Sequence, residues 1–251
     1  MKLPDFSAWI AKIYSWSKLA TNSFISRSTG YILRRRSNPY HFLIKNRIPV
    51  SLIVDVGVAD GTPDLWQCAS NNTHLVLVDP ILDKDTLSSS KSLGSGLFYF
   101  LPYALSNQDG QIFSLTGQGR KTHLSSTQSP QVRQTVGYTL KSLLRMINIS
   151  IADYKCCRIL KIDVEGFEYN ALLGCAELLG DFDFVFVEIG TFSNYGNDFD
   201  SLIKLLYDKS FVVSSCQDAP SNSTLLCGTF DLLFSNKSSS YYQLVNSILS
   251  S

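Results

Sequence analysis

Short runs of apolar, largely β-branched residues alternate with helix-length segments along most of this chain. SLIVDVG (51–57) and HLVLVDP (74–80) are the first two runs. Five more follow: LFYFLPYALS (97–106), RILKIDV (158–164), FDFVFVEIG (182–190), FVVSSC (211–216) and LLCGTFDLLFS (225–235). Continuous apolar runs of this length indicate strands buried on both faces. The pattern therefore predicts an α/β fold with a doubly wound, mostly parallel seven-stranded sheet.

The segments between these runs complete the predicted layout. Helices are expected after Thr62-Pro63, a typical N-cap pair, within 136–147, and at 167–179 and 199–209. The last two runs have no helix-length segment between them, so we expect a C-terminal antiparallel hairpin at the sheet edge. QIFSLTG (111–117) indicates an additional strand. The polar stretch 117–131 has no periodicity, which predicts a long loop that helps to cover an acceptor site.

The length of 251 residues suits one large domain, which we assign to residues 49–251 after a helical N-terminal extension at 1–48. Apolar residues near the start, at helical spacing, predict a helix that packs on its own domain, with weak membrane-surface contact as the alternative. No run reaches the roughly 18–20 apolar residues of a transmembrane segment. The net charge of +1 gives no electrostatic footprint for nucleic acid.

The six cysteines form no CxxC pair and no zinc-type spacing with histidine. We therefore interpret them as reduced structural thiols. This interpretation favours a cytoplasmic protein, and no secretory signal is recognised at the N-terminus.

Two features at the ends of the first two strands indicate a nucleoside-containing ligand. The first strand leads into the turn from Asp55 to Gly61, where Gly57 and Gly61 permit a close backbone approach. The second ends at Asp79, about twenty residues past the turn, where an acid accepts hydrogen bonds from ribose hydroxyls. The turn lacks the GxGxxG fingerprint for a pyrophosphate, so the pattern favours an adenosine-containing cofactor without phosphates.

Taken in order, IVDVGVADG, VLVDP, PYALSNQDG, the TLKSLL helix, KIDVEGFEYNALLGCAELL and FVFVEIG resemble FkbM-type S-adenosylmethionine-dependent methyltransferases over about residues 50–235. The resemblance implies a class I, Rossmann-like methyltransferase fold. It also implies methyl transfer, commonly to a hydroxyl of a sugar or other small natural-product acceptor. By position it implies that the methionine part of the cofactor is surrounded by Asp55, Gly57 and Asp60, the ribose is bound by Asp79, and the adenine lies near Ala104. Val58-Ala59 and Val78-Asp79-Pro80 depart from the usual family pattern.

Carboxylates cluster in IDVEGFE, a stretch that otherwise has the character of a buried strand. Asp163 and Glu165 are two residues apart, so we expect them on one face, at the end of a strand predicted to stop near Val164. One of them would receive the acceptor hydroxyl's proton or orient that hydroxyl, and Glu188 on the neighbouring strand would complete an acidic rim. N-capping at a solvated rim is the structural alternative for the pair.

Three further interpretations concern the same region. A divalent cation held by the carboxylates is an alternative to the proton-transfer role. Glu168 falls in the first helical turn, where the helix dipole favours an acid. His123, within the polar stretch, is a general base, an acceptor contact or a surface histidine.

Two rival functions are considered on the sequence alone, and the first is disfavoured. A short-chain oxidoreductase would need a Tyr-x-x-x-Lys dyad after the fourth strand, but the only match here, Tyr14 to Lys18, precedes the first strand. A catalytically silent methyltransferase fold that serves as a binding or scaffold module would keep the cofactor turn but show no turnover.

Overall fold

The centre of the molecule is a seven-stranded sheet, seen in a computed structural model that describes residues 40–59, 61–81, 96–116, 123–125, 133–190, 199–218 and 229–249. Its strands are β1 (Val50–Val56), β2 (His74–Val78), β3 (Leu97–Leu101), β8 (Cys157–Ile162), β9 (Phe184–Gly190), β10 (Phe211–Asp218) and β11 (Thr229–Asn236). Their spatial order is β10-β11-β9-β8-β1-β2-β3.

Strand direction confirms the predicted topology. The pairs β1·β2, β2·β3, β1·β8 and β8·β9 are parallel, whereas β11 is antiparallel to both β9 and β10. The chain winds outward from β1 in one direction, then returns to β8 and winds in the other. The order therefore reverses between β1 and β8, which is where ligands bind in sheets of this kind.

A second, mostly antiparallel sheet is formed by the residues between β3 and β8. It contains β4 (Ala104–Leu105), β5 (Gln111–Thr116), β6 (His123–Ser125) and β7 (Gln134–Tyr138), in the order β4-β7-β5-β6. The helices are α1 (His41–Lys45), α2 (Pro63–Trp66), α3 (Leu140–Met146), α4 (Glu168–Cys175), α5 (Phe199–Asp208) and α6 (Tyr242–Leu249). The expected additional strand at 111–117 is thus β5.

The structure differs from the sequence expectations in three places. The run 97–106 is two strands in different sheets, because Pro102 has no N–H to continue the ladder and the Tyr103 N–H bonds back to Leu101 O at 2.9 Å. Strand β8 ends at Ile162, two residues earlier than expected. In the stretch predicted as a loop, 123–125 is strand β6, paired with β5, and the remainder lies outside the described residues.

Two apolar cores cover the two faces of the large sheet. One core joins β1, β2, β8 and β9 to helices α3, α4 and α5. The other joins alternate residues of the same strands and of β11, including Ile53, Ile159, Phe186 and Leu233, to α2 and to the segment that begins at Tyr40. Alternation between the two cores is the period-2 geometry of strands buried on both faces.

The segment from Tyr40 to Ile48 belongs to this second core. Tyr40, Leu43 and Ile48 are buried, and the Tyr40 ring lies 4.6 Å from that of Phe186 between centroids. The first 39 residues of the expected helical extension lie outside the described part of the chain.

Candidate active site

A row of charged side chains crosses one face of the large sheet. In a strand, residues i and i+2 point to the same face. Asp55, Lys161 and Glu188 each lie two residues beyond a member of the second core, and Asp231 lies two residues before one. Asp55 is the Cα partner of Lys161, and Glu188 that of Asp231. We call these four residues the charged row.

Lys161 links Asp55, its neighbour in the charged row, to Asp163 and to the turn after β1. Its Nζ lies 3.3 Å from Asp55 Oδ1 and 3.2 Å from Asp163 Oδ2, and donates to Gly57 O at 2.9 Å. Burial lowers the pKa of Lys161, but the charges of Asp55 and Asp163 outweigh it and place the pKa above its ordinary value. Lys161 is therefore a fixed cation that connects the turn after β1 to the residue after β8.

Asp55 is a buried residue that contacts Trp66 and Lys161. Its side chain is fully buried, and its Oδ2 accepts a hydrogen bond from the indole Nε1 of Trp66 at 2.9 Å. Its Oδ1 has the Lys161 ammonium at 3.3 Å but no hydrogen-bond partner among the described residues, because the ion pair is not aligned as a hydrogen bond. Asp55 does not line the cavity above it.

That cavity, of about 490 Å³, opens at the carboxyl ends of the parallel strands. Its volume is in the range of pockets for small molecules and cofactors. Among the described residues, the wall carries one cationic side chain, Lys161, and six carboxylates: Asp64, Asp79, Asp163, Glu165, Glu188 and Asp231. A cavity with this charge excess favours a ligand that carries positive charge and opposes a polyanion such as a pyrophosphate.

The glycine turn is shaped by contacts within the protein. Gly57 has φ +78°, and a Cβ there would lie 1.7 Å from Asp163 O. Gly61 has φ +111°, and a Cβ would lie 2.8 Å from the Trp66 ring. Both glycines line the cavity, so the turn lies close to a bound ligand and to the end of β8 at the same time.

Asp79, which follows β2, is hydrogen-bonded to the backbone of the glycine turn. Its Oδ2 accepts the Ala59 N–H and its Oδ1 accepts the Ile81 N–H, each at 2.8 Å. Burial raises the pKa of Asp79, and these two hydrogen bonds oppose that effect. Each carboxylate oxygen has a further lone pair. Asp79 lines the cavity and also holds the backbone of the turn that it faces, while its predicted contact with a ribose stays a prediction.

Glu168 organises the loop that carries the predicted catalytic acids. It is the first residue of α4, it is buried, and its Oε1 accepts the N–H groups of Gly166 at 2.9 Å and Val164 at 3.3 Å. Glu165 lies within this loop with φ +51°, a left-handed conformation that is uncommon for residues other than glycine. The predicted helix-start role of Glu168 thus extends to holding the loop, while Asp163 and Glu165 both line the cavity.

Asp231, from the C-terminal hairpin, is the site carboxylate that our sequence reasoning missed. It is half-buried and lines the cavity. Burial and, to a smaller extent, the charge of Asp163 raise its pKa from 3.8 to about 6, while the charge of Lys161 opposes them. Lys161 and Tyr40, which also lines the cavity, were missed as well. A lysine within an apolar central strand and an acid within TFDLLFS were the available signals.

The remaining predicted residues lie apart from the cavity or beyond what is described. Ala104 is buried in β4 and is not among the residues that line the cavity. Asp60 lies outside the described residues, and His123 is described only as part of the β6 backbone. No group of three or more potential metal ligands in a metal-binding arrangement occurs within the described ranges. In the same ranges, no helix is long and apolar enough to cross a bilayer.

A comparison with known protein families identifies the family of this chain. The family profile described as "Methyltransferase FkbM domain" matches residues 55–213. A search of curated proteins gave no match.

Solved structures with a similar arrangement include magnesium protoporphyrin IX methyltransferase from Synechocystis PCC 6803 with bound SAM, at 13% identity and TM-score 0.43, covering 78% of this chain and 76% of that one. A protein in the NADB-Rossmann superfamily from Streptococcus agalactiae has 10% identity and TM-score 0.42, covering 82% of this chain and 70% of that one.

Proposed function

Because this chain belongs to the FkbM methyltransferase family, we propose that it transfers a methyl group from S-adenosylmethionine to a hydroxyl oxygen of a sugar or another small natural product. The observation that carries the proposal is the acidic cavity at the carboxyl ends of β1, β2, β8 and β9. S-adenosylmethionine carries a sulfonium cation, an ammonium group, one carboxylate and no phosphate, so its net charge is positive. An acidic wall suits those charges and would repel the pyrophosphate of NAD.

The residues around the cavity fit this cofactor. Asp79 would accept the ribose hydroxyls with the lone pairs that its two backbone hydrogen bonds leave open. Gly57, Gly61 and the turn between them, which includes Asp60, would face the methionine part. Asp55 would act indirectly, since it lies below the cavity and fixes Lys161 and Trp66. The expected place of Ala104 near the adenine stays a prediction, since Ala104 is buried in β4 and does not line the cavity.

Asp163, Glu165 and Glu188 would position the acceptor. The bound cofactor supplies an electrophilic methyl group on its sulfonium sulfur. A carboxylate that accepts a hydrogen bond from the acceptor hydroxyl would direct an oxygen lone pair towards that methyl group. Neutral polyhydroxylated acceptors suit this wall best, because an anionic acceptor would meet six carboxylates in the described part of the cavity.

The decisive experiment is a screen of glycans and small hydroxylated compounds with isotopically labelled S-adenosylmethionine, read by mass. We expect one labelled methyl group on an acceptor oxygen. Conversion should fall in Asp163→Asn, Glu165→Gln and Glu188→Gln, by up to about 10²–10⁴-fold for a group that assists proton transfer. Asp200→Asn, an exposed acid outside the cavity, is the matched control. Cofactor binding with no turnover on any acceptor would favour a binding or scaffold module instead.

A chelator arm addresses the divalent-cation alternative. If the carboxylates held a metal ion needed for transfer, a chelator would abolish conversion and an added divalent cation would restore it. We expect equal rates with and without chelator.

A further inference from the structure

Among the described carboxylates that line the cavity, one lies beyond the family match, which ends at residue 213. This residue is Asp231, on β11 of the C-terminal hairpin. In the described part of the chain, no ion pair of 4.0 Å or shorter involves it, whereas Asp163 is held by Lys161 at 3.2 Å. We propose that Asp231 accepts the proton of the acceptor hydroxyl during methyl transfer, while Asp163 and Glu188 orient that hydroxyl.

The inference rests on the proposed function and specifies the step in which the proton leaves. The acceptor oxygen forms a bond to the methyl carbon as the bond between that carbon and the sulfonium sulfur breaks. The bonding pair goes to sulfur, which becomes a neutral thioether. The hydroxyl proton goes to a carboxylate oxygen of Asp231, so the products are a methyl ether, the thioether and a neutral carboxylic acid. No oxidant or further reactant is required.

The surroundings of Asp231 suit a proton acceptor. Its charged and titratable neighbours are Glu188 on β9, Lys161 on β8, Asp163 directly after β8, and Tyr40 directly before α1. Burial and the charge of Asp163 place the pKa of Asp231 at about 6, against the partial opposition of Lys161. A general base works best when its pKa lies near the operating pH. Burial keeps the pKa of Tyr40 well above its ordinary value, so its hydroxyl remains a hydrogen-bond donor.

Asp163 suits an orienting role for a different reason. Its carboxylate bonds to a lysine that is itself tied to Asp55 and Gly57, so its position is set by the framework of β1 and β8. Asp231 lacks such a tether within the described residues and lies next to Glu188 across the strand pair. One carboxylate is thus fixed, and the other is able to gain a proton without breaking an ion pair.

The test compares Asp231→Asn with wild type in the full-length protein, with Asp200→Asn and Glu188→Gln as comparison variants. Wild-type methyl transfer should fall as the pH drops below about 6, because Asp231 becomes protonated. Asp231→Asn should lose about 10²–10⁴-fold in rate and keep its affinity for S-adenosylmethionine. Its rate should also no longer fall below about pH 6; we call this fall the acidic limb of the pH profile. Glu188→Gln should be slower but retain the limb. Asp231→Asn at the wild-type rate, or with the limb intact, would overturn the assignment.

A second measurement does not depend on activity. An acid whose pKa is 3.8 in the unfolded chain and about 6 in the folded one binds more protons when folded, so its contribution to stability is lost as the pH rises through that window. Urea unfolding should therefore show Asp231→Asn gaining stability over wild type between about pH 4 and pH 7. Asp200→Asn should run parallel to wild type.

The two measurements separate the inference from the function on which it rests. If wild type methylates no acceptor, the proposed function fails, and the stability profiles still decide whether Asp231 exchanges its proton near pH 6. Parallel profiles for wild type and Asp231→Asn would refute the proton-accepting role even if the wild-type enzyme is active.

Discussion

At the scale of single residues, the site depends on carboxylates that have both a structural partner and a face towards the cavity. Asp79 is the clearest case, since two backbone N–H groups bond to the carboxylate that we assign to the ribose. Asp79→Ala should weaken S-adenosylmethionine binding by about 1–3 kcal/mol, because it removes charge-assisted hydrogen bonds. Calorimetry at a temperature where both proteins are folded measures this, with Asp200→Ala as control. Equal affinities would remove Asp79 from the ribose site.

Lys161 is the second residue whose loss should be severe. Lys161→Met keeps most of the side chain's bulk but leaves Asp55 and Asp163 without their cation. Breaking one side of a buried ion pair costs about 3–5 kcal/mol, because the remaining charge is still buried. Urea unfolding should show this loss, and adding Asp55→Asn should recover part of it.

The matched control for that prediction is Lys204→Met. Lys204 pairs with Asp208 on the surface of α5, with more than half of each side chain exposed. Exposed pairs contribute at most about 1 kcal/mol. A similar loss in both lysine variants would mean that the charged row has no special role in stability.

The sequence predicted the charged residues that come after strands better than those within strands. Asp79, Asp163 and Glu165 were predicted because they follow apolar runs. Asp55 was carried over from the family resemblance as a cofactor contact. It is buried and does not line the cavity, so we propose a supporting role for it. Lys161 and Asp231 lie inside apolar runs, and the residues that they face across strand pairs, Asp55 and Glu188, are 106 and 43 residues away in the sequence. Pairing over such distances follows from strand order and register, which one-dimensional periodicity does not specify.

At the scale of elements, the connection between β8 and α4 is the feature on which the acids depend. Glu168 bonds to the N–H groups of Val164 and Gly166 and so holds the loop that contains Glu165. Glu168→Ala should cost about 1–3 kcal/mol, since it leaves buried donors unsatisfied. It should also slow methyl transfer by displacing Glu165. Glu168→Gln keeps an acceptor oxygen and should lose less of both.

Thermal unfolding and transfer rates, measured on the same preparations, test this prediction. Glu177→Ala is a suitable control, because Glu177 is exposed and bonds only to Lys141 in the described part of the chain. If Glu168→Ala is as stable and as active as this control, the loop is held by other contacts.

Strand prediction succeeded where an apolar run was uninterrupted, and it was wrong where a proline divided the run. The seven runs correspond to the seven strands of the large sheet, including the C-terminal hairpin. The run 97–106 was assigned as one strand, but Pro102 divides it between two sheets. The short strand β6 has three residues and is defined by its pairing with β5, so the local sequence pattern does not predict it.

At the scale of the whole molecule, the domain boundary is the point that most needs a test. The sequence suggested an extension up to residue 48, but Tyr40, Leu43 and Ile48 are buried in the second core. Tyr40 also lines the cavity. We therefore propose that the folded domain begins no later than Tyr40, and that this segment unfolds together with the sheet rather than separately.

Adjacent residues of α1 provide the comparison that tests this boundary. Leu43 is 1% exposed, whereas Ile44 is 40% exposed. Leu43→Ala should lower the free energy of global unfolding by about 2–5 kcal/mol, the usual cost of removing a buried leucine side chain. Ile44→Ala should stay within about 1 kcal/mol of wild type, since half-exposed positions lose little burial. In urea, both variants should unfold in one transition with the wild-type slope. If the segment were a separate extension, Leu43→Ala would leave the main transition unchanged, and the domain would begin at β1.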